Sequence, residues 1–434
     1  MTAIKAYLKQ EREVLPLLLF RIVLGLLFLW SGIRFWAKGW IEDFYLSPDY
    51  HFRFWGWDWL PLASPQLCYF LYSLMLLAAL GVLLGAFYRW SMALYFLLFT
   101  YFELWEKCLY LNHYYFVSLL AFLLCFVPLH CNTSVDAFFR PSLRRRHLPN
   151  YYFLLPKFLI AILYIYAALA KLEPDWWFRA QPLSIWLSAR SSYPILGPIL
   201  AWGPTAFLMS WAGFFYDLLV PFGLSFRKTR PWAYLFVILF HAMTAMLFSI
   251  GLFPYVMMGA ALVFFSAEEL GRFRFIYLPQ EHLERPYRLY WPKLQTAIWV
   301  IFFSWQLLFP WRFLLYEGPV CWQEQGFRFS WRVMLVEKVG QLHYRLIDQN
   351  GRQKLLYPED DLQPWQLQQM RFQPDMILAY AKELGRRHGA RAIYAESWVS
   401  WNGRPSARLI DPNYNLLEAE NGWKNWDWVL PAPE

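Results

Sequence analysis

Lys171 closes the apolar run KFLIAILYIYAALAKLEPDWW, residues 157–177, and no charged side chain interrupts that run between Lys157 and Lys171. If Lys157 marks one membrane interface, the helix between them reaches only about 21 Å into a hydrocarbon layer of roughly 30 Å. Desolvation disfavours the ammonium form, so an amine at that depth can be held neutral and used as a base. The same lysine also suits an anchor that snorkels to the headgroups along its four-carbon stem.

Other polar residues interrupt the apolar runs. With the N-terminus placed inside, Lys171, Asn112 and His113 all fall at or near the outer ends of their helices, and we expect them to share one pocket. His241 and Asp217 each lie about ten residues from a cytoplasmic helix end, hence roughly 15 Å deep, and are expected partners. An intramembrane acid or histidine is costly enough to need a partner, whether that bond is functional or only orients two helices. Asn112 also suits a helix cap. Glu106 and Lys107, which open the same loop, read as an interfacial charge pair.

Nine apolar helices are expected to carry these residues, at about 16–33, 67–87, 90–106, 114–131, 157–171, 205–226, 232–250, 253–265 and 294–315. Lys and Arg number 17 in the segments this places inside and 7 in the loops it places outside, the C-terminal domain excluded, as the positive-inside rule requires. Residues 33–61, crowded with Trp and Tyr, are expected along the outer surface. The predicted fold is mainly α: a polytopic membrane helical bundle over 1–315, then a small α+β extracytoplasmic domain over 316–434. In that domain GFRFSWRVMLVEKVG and QLHYRLIDQNGRQKLLYP read as strands around an Asn350-Gly351 turn. A helix fits 374–389 between Pro374 and Gly389, and a second hairpin turns at Asn402-Gly403.

Composition agrees. The chain is 58% hydrophobic and only 16% charged, where soluble domains carry about 25%. The net charge of +9 comes with no nucleic-acid motif; its basic residues cluster in short loops and act as topology signals. Five cysteines show no CxxC or zinc spacing, so neither a disulfide framework nor a metal site is expected.

Several of these stretches resemble vitamin K-dependent γ-glutamyl carboxylases and the bacterial HTTM-domain proteins related to them. AALAKLEPDWW resembles their Lys-Leu-x-x-Asp-Trp segment, EKCLYLNHYYF their Asp-Lys-x-x-x-x-Asn-His stretch, and FHAMTAMLFSIGLFPYVM their Phe-His-x-Met-Asn segment. FSWRVM, YAESWVSWNGRPSARLIDP and WDWVLP resemble the soluble outer domain in the same order, so the likeness runs from about residue 16 to 431. It implies that Lys171 deprotonates vitamin K hydroquinone, whose anion reacts with O₂ to give the epoxide and a strong alkoxide base. That base takes a γ-proton from glutamate, and the carbanion adds CO₂. By the same likeness Asn112 and His113 stand around the reacting quinone and CO₂. His241, with Asp217 and Trp176, makes up the expected cofactor-binding set.

The chain departs from the animal enzymes at Thr244, Phe327 and Val336, and it stops at Glu434 before their propeptide-engaging region. Two readings follow: a membrane oxygenase using menaquinol or phylloquinol with O₂ and CO₂, coupled or not to glutamate carboxylation, or a non-catalytic quinone- or lipid-binding scaffold. The first implies a glutamate-containing exported protein and a quinone reductase as partners. A bacterial inner membrane is the expected location, with the N-terminus cytoplasmic.

Overall fold

The computed structural model describes residues 2–248, 250–271 and 292–433. The basic residues Arg272, Arg274, Arg285 and Arg288, which the topology places inside, lie outside the described residues, as does Ser249 of the FSIG motif.

All nine expected spans are helical: α1 (Leu15–Ala37), α2 (Pro65–Leu84), α3 (Tyr88–Trp105), α4 (Asn112–Leu124), α5 (Tyr151–Ala170), α6 (Gly203–Ser225), α7 (Arg230–Leu247), α8 (Phe253–Ala260) and α9 (Pro292–Leu308). Among the described residues six helices are long and apolar enough to cross a membrane: α1, α2, α5, α6, α7 and the run from Pro292 to Leu315. The helical runs Asn112–Leu124 and Phe253–Phe264 are apolar but shorter, and α3 carries Arg89 and Glu103. Prolines start several of these helices, where a missing N–H costs nothing. α2 stops at Gly85, whose φ of 65° is one that glycine adopts without strain. α1 and α2 touch backbone to backbone at Gly25, where a Cβ would stand 2.5 Å from the Leu83 Cα. Strands β1 (Glu11–Glu13) and β2 (His147–Pro149) pair beside the starts of α1 and α5.

A second core forms at the outer end around an antiparallel sheet ordered β4-β3-β5-β6. The strands are β3 (Lys338–Ile347), β4 (Gln353–Leu356), β5 (Ala392–Trp401) and β6 (Ala407–Arg408), with α10 (Pro374–His388) packed on β5. In β3 alternate residues Leu342, Tyr344 and Leu346 are buried, the period of two that a one-sided sheet requires. Both expected hairpins form: Asn350-Gly351 joins β3 to β4, and Asn402-Gly403, with φ of 49° and 75°, joins β5 to β6.

Of the expected strand over 326–340 only Lys338–Gly340 forms, as the start of β3; 326–337 does not. Positive φ at Phe329, Trp331 and Met334 bends this segment into turns. It lies on the membrane bundle instead, with Trp331 fully buried in the bundle core. The aromatic segment 33–61 is likewise more than a surface cover, because Phe52 is fully buried in the outer core.

Candidate active site

The residue that ends α5 turns back on its own helix. Lys171 takes φ −83° and ψ 0°, and Pro174 opens the short helix Pro174–Phe178. The Lys171 Nζ donates to Ala167 O at 3.3 Å and to Asp217 Oδ2 on α6 at 2.6 Å. Both side chains are buried, and Nζ lies 5.2 Å from the centre of the Trp176 ring. Trp176 is clamped to α6 by reciprocal bonds: its Nε1 donates to Ser210 O at 2.7 Å and Ser210 Oγ donates to Trp176 O at 2.5 Å.

Lys171, Asp217, Trp176 and His241 line one cavity of about 730 Å³ whose other walls are mostly apolar. The expected pairing of Asp217 with His241 is overturned. Asp217 faces Lys171, and His241 Nε2 bonds the Tyr164 hydroxyl at 3.1 Å, which meets Tyr216 at 3.2 Å. Equal depth brings two residues together only if both helix faces point inward at each other. His241 is 2% exposed, and its Nδ1 has no hydrogen-bond partner among the described residues. Thr244, one of the departures noted in the sequence, turns its hydroxyl onto the His241 carbonyl at 3.0 Å.

Asn112 and His113 stand in a neighbouring cavity of about 1680 Å³, not in the lysine's, which corrects the single expected pocket. The two cavities share Leu163, Ile250, Phe253, Val333 and Met334 as walls. Phe253 is the divider, with its ring 5.4 Å from that of His113 and 5.7 Å from that of His241. Asn112 does not cap α4, whose cap position is Leu111. Its Nδ2 donates to Arg332 O at 3.0 Å, and its Oδ1 accepts from the Tyr110 hydroxyl at 3.1 Å. A third, polar cavity of about 980 Å³ adjoins Asn112 and is lined by Phe327 and Val336. Both outer-domain departures thus fall in one place.

Tyr164, Tyr110 and Phe253 escaped the sequence reading because aromatics are common throughout this chain. Tyr164 carried one signal: it lies two helical turns before Lys171 and so on the same face.

The lysine segment is tied to the outer sheet. Arg404 grips Asp175 with two nitrogens, at 2.7 and 2.8 Å, and Asn402 Nδ2 donates to the same carboxylate at 2.9 Å. Glu173 accepts from Arg332 at 3.0 Å. The expected Glu106–Lys107 pair is absent: Glu106 bonds His51 and Gln366, while Lys107 reaches Asp375 on α10 at 2.9 Å.

Residues 10–268 match the HTTM domain, and residues 291–434 match the lumenal domain of vitamin K-dependent gamma-carboxylase. The chain belongs to the vitamin K-dependent γ-carboxylase family. No solved structure matches it. Like its family, this carboxylase homologue is an integral membrane protein with a lumenal-type domain.

The contacts between its membrane bundle and outer sheet have a pH dependence. Burial raises the Asp175 pKa, but hydrogen bonds from Arg404 and Asn402 outweigh it and leave the carboxyl below its ordinary value. Burial likewise acts on Asp375, and Arg328 and Lys107 overcome it and hold that carboxyl well below the usual range. Depressed folded values mean stability that is fully present above the unfolded pKa of about 3.9 and is lost as pH falls toward the folded values. We therefore expect protease resistance of the outer sheet to hold at pH 5 and to fail progressively below about pH 4. Limited proteolysis across that range checks it.

Proposed function

We propose that this protein is a membrane enzyme that uses reduced vitamin K, as menaquinol or phylloquinol, with O₂ and CO₂ to carboxylate glutamate side chains. The buried Lys171–Asp217 pair, opening into an apolar cavity beside an unpartnered His241 nitrogen, carries this reading. When bound, the quinol supplies a hydroxyl proton with a pKa of about 10 and, on reaction with O₂, the strong base needed at glutamate Cγ.

The residues fit that ligand. The cavity walls suit a flat apolar ring, and His241, whose imidazole Tyr164 holds through Nε2, is one of them. An ammonium cannot take a proton, so the base has to be the neutral amine. Passing the ammonium proton across 2.6 Å to Asp217 leaves Nζ with a lone pair for the quinol hydroxyl. Trp176 and the apolar walls keep water from quenching the base. Asn112 and His113, beyond Phe253, stand on the side where glutamate and CO₂ would meet.

Asp217→Asn keeps a hydrogen-bonding group but cannot store the proton. Its kcat for quinol oxidation is expected to fall about 10- to 100-fold with little change in KM.

We place the membrane part at 1–315 and the outer domain at 316–434, with the N-terminus in the cytoplasm of a bacterium and a quinone reductase returning the quinol. An exported glutamate-containing protein is the substrate in this reading. A quinone epoxidase without carboxylation is the second reading, favoured by the apolar Phe327 and Val336 in the polar cavity. The deciding experiment supplies purified protein in detergent with reduced menaquinone or phylloquinone, O₂, ¹⁴CO₂ and a Glu-containing peptide. Epoxide with fixed ¹⁴CO₂ supports the carboxylase; epoxide alone supports the second reading. Neither product with any quinone leaves the non-catalytic scaffold.

A further inference from the structure

Five cations line the three adjoining cavities, and four of them face a carboxylate. Lys171 faces Asp217; Lys107 and Arg328 share Asp375, at 2.9 and 2.7 Å; and Lys338 faces Glu324 at 2.7 Å. The fifth is Arg34, in the last turn of α1, which lines the cavity of Asn112 and His113. No carboxylate among the described residues lies within 4.0 Å of it. Its Nε is buried without a hydrogen-bond partner. What holds it is aromatic: its guanidinium carbon stands 5.9 Å from the centre of the Trp30 ring and 5.2 Å from that of Trp40. Contacts of this kind fix a guanidinium in place and leave its hydrogen-bonding edge unused.

An unpaired, positioned guanidinium in a cavity calls for an anion, and a planar carboxylate matches its fork in geometry and charge. This cavity meets the lysine cavity at Phe253 and the polar outer cavity at Leu111 and Asn112, so a side chain entering from outside would arrive here. We propose that Arg34 binds the side-chain carboxylate of the substrate glutamate; this rests on the carboxylase reading above. In the reaction the γ C–H bond breaks, its proton goes to the base made from quinol and O₂, and the electron pair left on Cγ bonds CO₂. A carbanion beside a carboxylate concentrates negative charge, and a fixed cation on that carboxylate lowers its cost. The product side chain carries two carboxylates, which the same guanidinium also suits.

The test compares wild type, Arg34→Gln and Arg34→Lys in the quinol, O₂ and ¹⁴CO₂ assay, with a Glu-containing pentapeptide varied. R34Q is expected to raise the peptide KM at least about 10-fold while the quinol KM moves far less, and R34K to recover part of the loss. Glutarate should compete with the peptide in wild type and not in R34Q. Binding of the pentapeptide, followed by tryptophan fluorescence, is measured on the same preparations without turnover. Wild type that binds peptide but fixes no ¹⁴CO₂ would count against the carboxylase reading alone. A peptide affinity in folded R34Q within twofold of wild type would overturn the Arg34 assignment and leave the residue as a lipid headgroup contact.

Discussion

Replacing Lys171 with alanine should cost about 10²–10⁴-fold in quinol oxidation and in ¹⁴CO₂ fixation together, the range expected when a positioned general base is lost. Both products depend on the first proton transfer, so neither should survive the other. Alanine alone is an ambiguous test, because it also leaves the Asp217 carboxylate buried without its partner at 2.6 Å. Lys171→Arg removes the ambiguity. Arginine keeps a cation beside Asp217 but does not give up its proton, so it preserves the pair and not the base. We expect K171R to fold with a Tm close to wild type and to be as inactive as K171A. An active K171R would refute proton abstraction by this residue, whatever K171A does.

Asp375→Ala should have the largest effect on stability. Asp375 is the single carboxylate that bonds both Lys107, from the loop before α4, and Arg328, from the segment that lies on the bundle. Removing it leaves two buried cations facing each other with no anion between them. Breaking one buried pair costs about 3–5 kcal/mol, and here one deletion breaks two. For a unit of this size that corresponds to a Tm lowered by about 10 °C or more, read by calorimetry or by tryptophan fluorescence on the purified protein. Asp375→Asn should be milder, since it still accepts hydrogen bonds from both cations. If D375A melts within about 2 °C of wild type, these contacts do not hold the outer sheet on the bundle.

Much of the architecture was legible in the residues. The apolar runs and the basic loops placed nine helices, and the structure has a helix at each. The Asn-Gly pairs placed both hairpins, and Pro374 with Gly389 bracketed α10. The failure at 326–337 has a local cause: its hydrophobic pattern suits a strand, but contacts with the bundle hold three of its residues at positive φ. Pattern reports which residues avoid water, and not which surface they avoid it against.

The site shows the same division. Lys171, Asn112, His113, Asp217 and His241 could be singled out because a polar side chain in an apolar helix is conspicuous at any rotation of that helix. Their partners could not. Lys171 and Asp217 are 46 residues apart, and His241 sits at a depth that suited Asp217 just as well. Each residue along a helix turns the side-chain direction by about 100°, so the choice between Lys171 and His241 as partner depends on how α5, α6 and α7 are rotated about their axes. Packing sets those rotations. The sequence by itself determined that this is a membrane bundle bearing an outer sheet and a few costly polar groups. Only the tertiary structure decided that the lysine has a carboxylate beside it, that Phe253 divides its cavity from that of His113, and that Arg34 has no carboxylate beside it among the described residues, because each depends on contacts between helices distant in the chain.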